Sequence, residues 1–470
     1  MESGAERDMV AVDGRGLMAL GGEFRRWYRQ LERLGGCVAP VMLVGHTITR
    51  HRVTGEVVHV FTSESQVGGR LMVACRNRRD SVCPACSLLH KGDTYQIVVS
   101  GLSGGKGVPK SVATHPRVFA TLTAPSFGPV HRIVREHDRS GGCRVRAGRP
   151  VCSHGNPLYC DRRHAPGDRL VGTPLCSGCY DFTGLVLWNA NVGKLWNRFT
   201  DQVRRDVASR HGISRTRLGE LVRVSFVKVT EYQRRGAVHI HAVVRFDGPD
   251  GPAADPPAWA DGELLSAAVQ AAGRAVSVRV PNPNGGELVM RWGRELDVQE
   301  ITPGSESRPQ GISERSAVGY VAKYVTKGDI SRLILPRRIR AAEQIEYAPV
   351  SEYARELMRR VWWLGGLPEY DGLNLRPWAH QLGFRGNIAT KSRVYSVTYG
   401  QLRGERAAFQ RAASGLTLPD PETTVTESRW RFIGQGLTPQ EAEIAAGLAE
   451  TSALKRGPRP DWIEWPQGDD

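Results

Sequence analysis

The sequence predicts an α+β protein: an antiparallel sheet covered by helices, with a zinc-binding, cysteine-rich module set into it. Three observations lead there. Two apolar strands flank a short turn at 233–236 and read as a hairpin. A long segment before them repeats apolar residues at three- and four-residue steps, the mark of a helix with one buried face. Apart from Cys37, every cysteine lies between Cys75 and Cys179.

Residues 1–70 are weakly patterned. They hold a short helix around 24–34 and apolar, strand-like stretches at 41–48 and 57–61, and no chemistry is assigned to them. Residues 71–180 carry the cysteines, interrupted by the Gly-rich loop GLSGGKGVPKS and by a strand at 117–123. The long helix follows, with Leu185, Trp188, Val192, Leu195, Trp196, Phe199, Val203 and Val207 on its core face. The hairpin strands are 221–232 and 237–246, and Gly236 supplies the positive φ that the turn needs. After a Pro-rich linker at 248–257 come a helix at 259–275, strands at 276–280, 288–292 and 296–301, a loop TPGSESRPQG, and a helix at 313–327. This order suits an antiparallel sheet layered with helices. The expected divisions are an N-terminal region at 1–70, a zinc module at 71–180 interleaved with the first core strand, a catalytic core at 181–330 and an extension of it at 331–414. A partly ordered tail is expected at 415–470, where prolines are many and periodic apolar positions few.

Composition narrows the partner. The 470 residues include 64 Lys+Arg against 48 Asp+Glu, a formal charge of +16. Nine of the 64 are lysines, which leaves 55 arginines. The planar arginine fork grips phosphate with paired hydrogen bonds, so the excess points to nucleic acid. A hydrophobic content of 40% excludes wholesale disorder. There is no apolar run of about 18 residues and the N-terminus is polar and acidic, so a cytoplasmic protein without a membrane segment is expected.

The first candidate site is His239-Ile240-His241. Side chains alternate across a strand, so the two imidazoles project together from one face while Val238, Ile240, Ala242, Val244 and Phe246 take the other. Glu231 and Gln233 on the partner strand share parity, and either could add an oxygen. Two nitrogens and an oxygen with open positions suit a catalytic Mg²⁺ or Mn²⁺. The second candidate is the segment YVAKYVTK. In a helix Tyr320, Lys323, Tyr324 and Lys327 fall on one face, and an ammonium beside a phenol favours the phenolate that a tyrosine nucleophile must become.

Nine cysteines, an odd number in a long chain, argue against a disulfide framework and for metal. Cys152, Cys160, Cys176 and Cys179 read as one structural Zn²⁺ site, with His154 and His164 as substitutes for a cysteine. Cys75, Cys83 and Cys86 form a second, partial set whose fourth ligand is His90, Cys143 or Cys37. Arg76, Arg78, Arg79, Arg144, Arg146, Arg162 and Arg163 interleave with these thiols and give the module a means of tracking DNA phosphates.

The histidine strand followed by the double Tyr-Lys helix resembles the HUH superfamily of single-strand endonucleases. More broadly, RVFATLTAPSFGPVH, TEYQRRGAVHIHAVVRF, AVGYVAKYVTK and LGFRGNIATKSRVYS are similar to replication initiators of actinobacterial plasmids and integrative elements, over roughly residues 70–400. The resemblance implies a ferredoxin-like sheet whose central strand carries the histidines, and origin nicking through a 5′-phosphotyrosine that starts rolling-circle replication. It implies His239 and His241 as metal ligands, Glu231 or Gln233 as the third, Tyr320 and Tyr324 as nucleophiles, and Lys323 and Lys327 as charge partners. Single-stranded and origin DNA would be the substrate. No P-loop is present, so unwinding and synthesis would fall to a host helicase and polymerase. A conjugative relaxase of the same chemistry and a non-catalytic zinc-containing DNA-binding regulator are the competing readings. The histidines precede the tyrosines here, which favours an initiator over a relaxase.

Overall fold

The computed structural model describes residues 21–134, 141–302, 311–313, 316–318, 333–413, 415, 420 and 422–455. The described helices and strands are α1 (Gly22–Arg33), β1 (Val41–His51), β2 (Val57–Thr62), β3 (Leu71–Val73), α2 (Pro84–Ser103), β4 (Arg117–Leu122), α3 (Phe182–Arg210) and α4 (Arg215–Leu221). They continue with the hairpin strands β5 (Arg223–Tyr232) and β6 (Val238–Asp247), then α5 (Gly262–Ala275), β7 (Val278–Pro281), β8 (Glu287–Met290), β9 (Leu296–Thr302) and β10 (Gly311–Ser313). After these come a single-turn helix (Glu343–Glu346), α6 (Glu352–Leu364), β11 (Ala389–Lys391), α7 (Tyr399–Ala413), β12 (Thr424–Gln435) and α8 (Pro439–Lys455). They divide into two units. One takes the described residues up to Asp93 and from Thr398 onward; the other is Thr94–Val397. The division falls inside α2 rather than near residue 70.

In the first unit β1 is the axis. It pairs antiparallel with β12 from Val41↔Gln435 to His51↔Thr424, and with β2 and β3 along its other edge. Leu31 of α1 and Ala445 and Leu448 of α8 bury against Met42 and Met72. The stretch beyond 415, expected as a partly ordered tail, therefore supplies a strand and a helix. β12 is mostly exposed, so it lacks the half-buried alternation that marks a strand in sequence.

The second unit is built on a six-stranded sheet ordered β10-β9-β4-β6-β5-β11, antiparallel except where β10 joins β9. The fold is thus α+β with a mixed sheet. α3 packs its predicted stripe inward, and every residue named above on that stripe is buried. α2 carries no clean apolar period, because cysteine, glycine and serine positions interrupt it, and its last turn runs into the segment expected as a Gly-rich loop. Among the described residues β7 and β8 pair with each other alone, as a two-stranded sheet apart from the main one. Of the helix expected at 313–327, Ser313 instead ends β10, residues 316–318 are helical, and 314–315 and 319–327 lie outside the described residues.

β6 sits in the middle of its sheet and is buried along its whole length. The face that carries His239 and His241 also carries Arg245. That guanidinium is fully buried; it makes two hydrogen bonds to Asp247, at 2.7 and 2.9 Å, and donates to the Gly101 carbonyl on α2. The Nδ1 of His115 lies 2.9 Å from the same carboxylate. Arg117 donates to the Leu102 carbonyl in parallel. α2 thus closes one end of the histidine face, and a Cβ at Gly101 would overlap the buried ring of Tyr395. Overpacking of this kind costs about 1–3 kcal/mol, so Gly101→Ala should lower the unfolding free energy from chemical denaturation by that amount, with a correspondingly lower midpoint.

On the opposite face Lys228 is buried, its ammonium 5.3 Å from the centre of the Trp196 ring. Desolvation pulls its pKa down to about 8. The unfolded chain then holds a proton that the folded chain releases between about pH 8 and the ordinary lysine value, so this residue makes stability rise with pH across that window. Lys228→Met should stabilise the protein at neutral pH by about 2–3 kcal/mol and flatten the rise. Thermal unfolding at pH 7 and pH 10 reads both effects.

Candidate active site and metal clusters

The hairpin register decides the geometry. Glu231 pairs directly with His239, and Val229 with His241. The Glu231 Oε2 lies 2.9 Å from His239 Nε2 and 3.6 Å from His241 Nε2. The imidazoles meet edge to face, their centroids 4.6 Å apart. One donor atom from each of the three residues falls within 4.8 Å of the others. All three are nearly closed off from solvent, at 2% exposed for Glu231, 7% for His239 and 5% for His241. Gln233, the alternative oxygen donor, stands instead in the turn, where its amide oxygen accepts from Arg235 Nε at 2.9 Å.

Neighbouring strands orient the pair. Thr121 on β4 is in register with His241, and its hydroxyl lies 3.1 Å from His241 Nδ1. Phe119 stacks on the same ring at 5.8 Å. His239 Nδ1 is buried with no hydrogen-bond partner among the described residues. Two imidazoles and a carboxylate with donor atoms within 4.8 Å of one another fit a divalent cation that accepts mixed N and O donors.

Sequence reasoning missed the clamp behind the hairpin. Asn189 of α3 donates to the Gly236 carbonyl at 2.9 Å and the Leu382 carbonyl at 3.0 Å, and its oxygen accepts from Val238 N–H at 2.9 Å. Trp188 Nε1 donates to the Val238 carbonyl at 2.8 Å. Both hold the backbone one residue before His239. The signal was an amide placed among the apolar residues of a buried helix face, where only a satisfied hydrogen-bonding role permits it. Tyr320, Lys323, Tyr324 and Lys327 lie outside the described residues.

All nine cysteines are free. With histidines they form three four-residue clusters among the described residues, each of which could hold zinc. Cys75, Cys83 and Cys86 gather around Cys37, which fills the fourth place rather than His90 or Cys143. The Cys37 and Cys83 sulfurs are 3.8 Å apart, and hydrogen bonds from Cys37 and Cys86 hold the Cys83 thiol well below the ordinary range, toward the thiolate that binds metal. Cys152, Cys176 and Cys179 gather around His154. The Cys152 and Cys176 sulfurs are 3.5 Å apart, and His154 Nδ1 is 3.3 Å from Cys179 Sγ. Cys160, expected in this set, is elsewhere. Its backbone exchanges two hydrogen bonds with Arg144, at 2.8 and 3.0 Å, and this turns it to Cys143, His131 and His164.

A family model described as "Replication initiator protein, pSAM2" matches residues 23–450. A replication initiator protein of Streptomyces ambofaciens is 40% identical over 443 residues, covering 92% of this chain and 92% of that protein. No solved structure matches. The class is therefore that of proteins that initiate DNA replication, and so bind DNA. The chain belongs to the pSAM2 replication initiator protein family. Among the described residues no helix is long and apolar enough to cross a membrane.

Removing the Asn189 amide leaves one buried N–H and two buried carbonyls short of partners. Asn189→Ala should cost at least about 2 kcal/mol in chemical denaturation. Backbone amide exchange at Val238 should quicken more than exchange at strand positions far from the turn.

Proposed function

We propose that this initiator nicks one strand of its origin and starts rolling-circle replication through a 5′-phosphotyrosine intermediate. The observation that carries the reading is the register that sets Glu231 against His239 with His241 alongside, two imidazoles and one carboxylate on a buried central strand. Glu231, His239 and His241 would hold Mg²⁺ or Mn²⁺. Such an ion, when bound, supplies the charge neutralisation that a scissile phosphodiester requires.

The protein's own residues do the rest. Thr121 and Phe119 hold the His241 ring. Tyr320 or Tyr324 attacks the phosphorus through its phenol oxygen, forming the new P–O bond as the bond to the 3′ oxygen breaks. The phenol proton passes to solvent, and the 3′ oxygen leaves as a hydroxyl that primes synthesis. Lys323 and Lys327 offset the negative charge on the attacking oxygen. Single-stranded and origin DNA is the substrate, gripped by distributed arginines. A host helicase and polymerase carry out unwinding and synthesis, and the chain works in the cytoplasm.

Incubation with an end-labelled origin strand and Mn²⁺ should give a covalent protein–DNA adduct, absent from Tyr320→Phe combined with Tyr324→Phe. Unchanged nicking by that double variant would reject the assignment. His239→Ala or His241→Ala should lower cleavage by about 100-fold or more while leaving origin binding in gel shift near the parent value. Equal loss of binding and cleavage would make the histidines structural.

A further inference from the structure

We infer that His131, Cys143, Cys160 and His164 hold a zinc ion, with Asp168 as the carboxylate behind His164, and that this ion locks the loop gripping the turn of the β5–β6 hairpin. The proposal is independent of the nicking chemistry.

The spacing of the donors is that of a filled tetrahedron. With Zn–N near 2.0 Å and Zn–S near 2.3 Å, the tetrahedral edges are roughly 3.3 Å between nitrogens and roughly 3.5 Å between nitrogen and sulfur. Here His131 Nδ1 and His164 Nε2 are 3.1 Å apart. Cys160 Sγ lies 3.4 Å from His164 Nε2, and Cys143 Sγ 3.7 Å from His131 Nδ1. Cys143, Cys160 and His164 are buried, which leaves no open position for water and marks a structural rather than a catalytic site.

The surroundings prepare the donors. Asp168 Oδ2 is 2.6 Å from His164 Nδ1, and its other oxygen accepts the Leu170 N–H at 2.9 Å. The carboxylate therefore keeps the His164 proton on Nδ1 and turns the Nε2 lone pair toward the cysteines, the arrangement found behind metal-bound imidazoles. The Arg132 N–H donates to Cys143 Sγ at 3.4 Å, as backbone amides do to thiolates.

The same loop reaches the hairpin. Pro166, between His164 and Asp168, accepts a hydrogen bond from the Arg234 guanidinium. Gly172, whose N–H bonds the His131 carbonyl at 2.8 Å, lies so close to the Arg234 backbone that any Cβ would overlap it. From the other side Arg235 donates to the carbonyls of Pro125 and Ala124, at 2.8 and 3.1 Å. The turn leading into His239 is thus held on two sides, and one side rests on this cluster.

Metal analysis of the full-length protein purified with zinc should give three zinc ions per chain, one for each cluster. Cys160→Ala should lose one. Two or fewer in the parent, or no loss in the variant, would overturn the proposal. Asp168→Asn leaves all four donors in place and guards against misfolding. One of the three ions should then bind a competing chelator-buffered zinc pool about 10- to 100-fold more weakly. An unchanged affinity profile would remove Asp168 from the site. Amide exchange at 233–237 should quicken in Cys160→Ala, and unaltered exchange there would refute the hairpin lock.

Discussion

The pairing of β5 with β6 is the constraint on which everything at the candidate site depends. A strand has a side-chain period of two, so a slip of one residue would send His239 and His241 to the face of α3 and bring Ile240 to meet Glu231. The register is enforced from several directions. The tight turn ends in Gly236 at positive φ, and the Gln233 N–H bonds the Ala237 carbonyl at 2.8 Å. Asn189 and Trp188 grip the backbone at Val238, and β4 fits its own alternation to the other edge of β6. None of these contacts touches a donor atom, yet together they decide which three side chains share a space.

The cysteine clusters solve a related problem by different means. The loops between β4 and α3 have few regular strands and few large apolar residues, so they cannot be held by a core of their own. Their backbone is fixed by isolated bridges, such as Arg144 with Cys160, and by the two four-residue clusters. In a segment this poor in apolar area, metal coordination can supply the folding free energy that burial does not.

Much of this was legible in the sequence because the signals were local. The α3 stripe, the hairpin and the HxH alternation each declare themselves within a few residues of chain. Glu231 was separated from Gln233 only by the structure, since both have the right parity and only the length of the turn selects between them. The grouping of ligands was less readable. Cys160 sits eight positions from Cys152 and looks like its companion, but a backbone bridge to Arg144 faces it the other way. His131 carries no spacing signal at all, because its partners arrive from two separate stretches, at 143 and at 160–164. α2 and β12 escaped for opposite reasons: the first is buried without a clean period, and the second is a strand by virtue of its partner.

That last pairing reaches into biosynthesis. The hydroxyls of Thr47 and Ser428 lie 2.9 Å apart across 381 residues of chain. β1 leaves the ribosome long before β12, so the first of the two units to begin emerging is completed only after the second has been made. Until then one long edge of β1 presents unpaired amides and carbonyls, the kind of template on which strands of other chains add. The intervening unit, Thr94–Val397, has its partners at hand and is free to fold first. A truncated product lacking its C-terminal strand would therefore retain the histidine sheet but carry an open edge at its beginning.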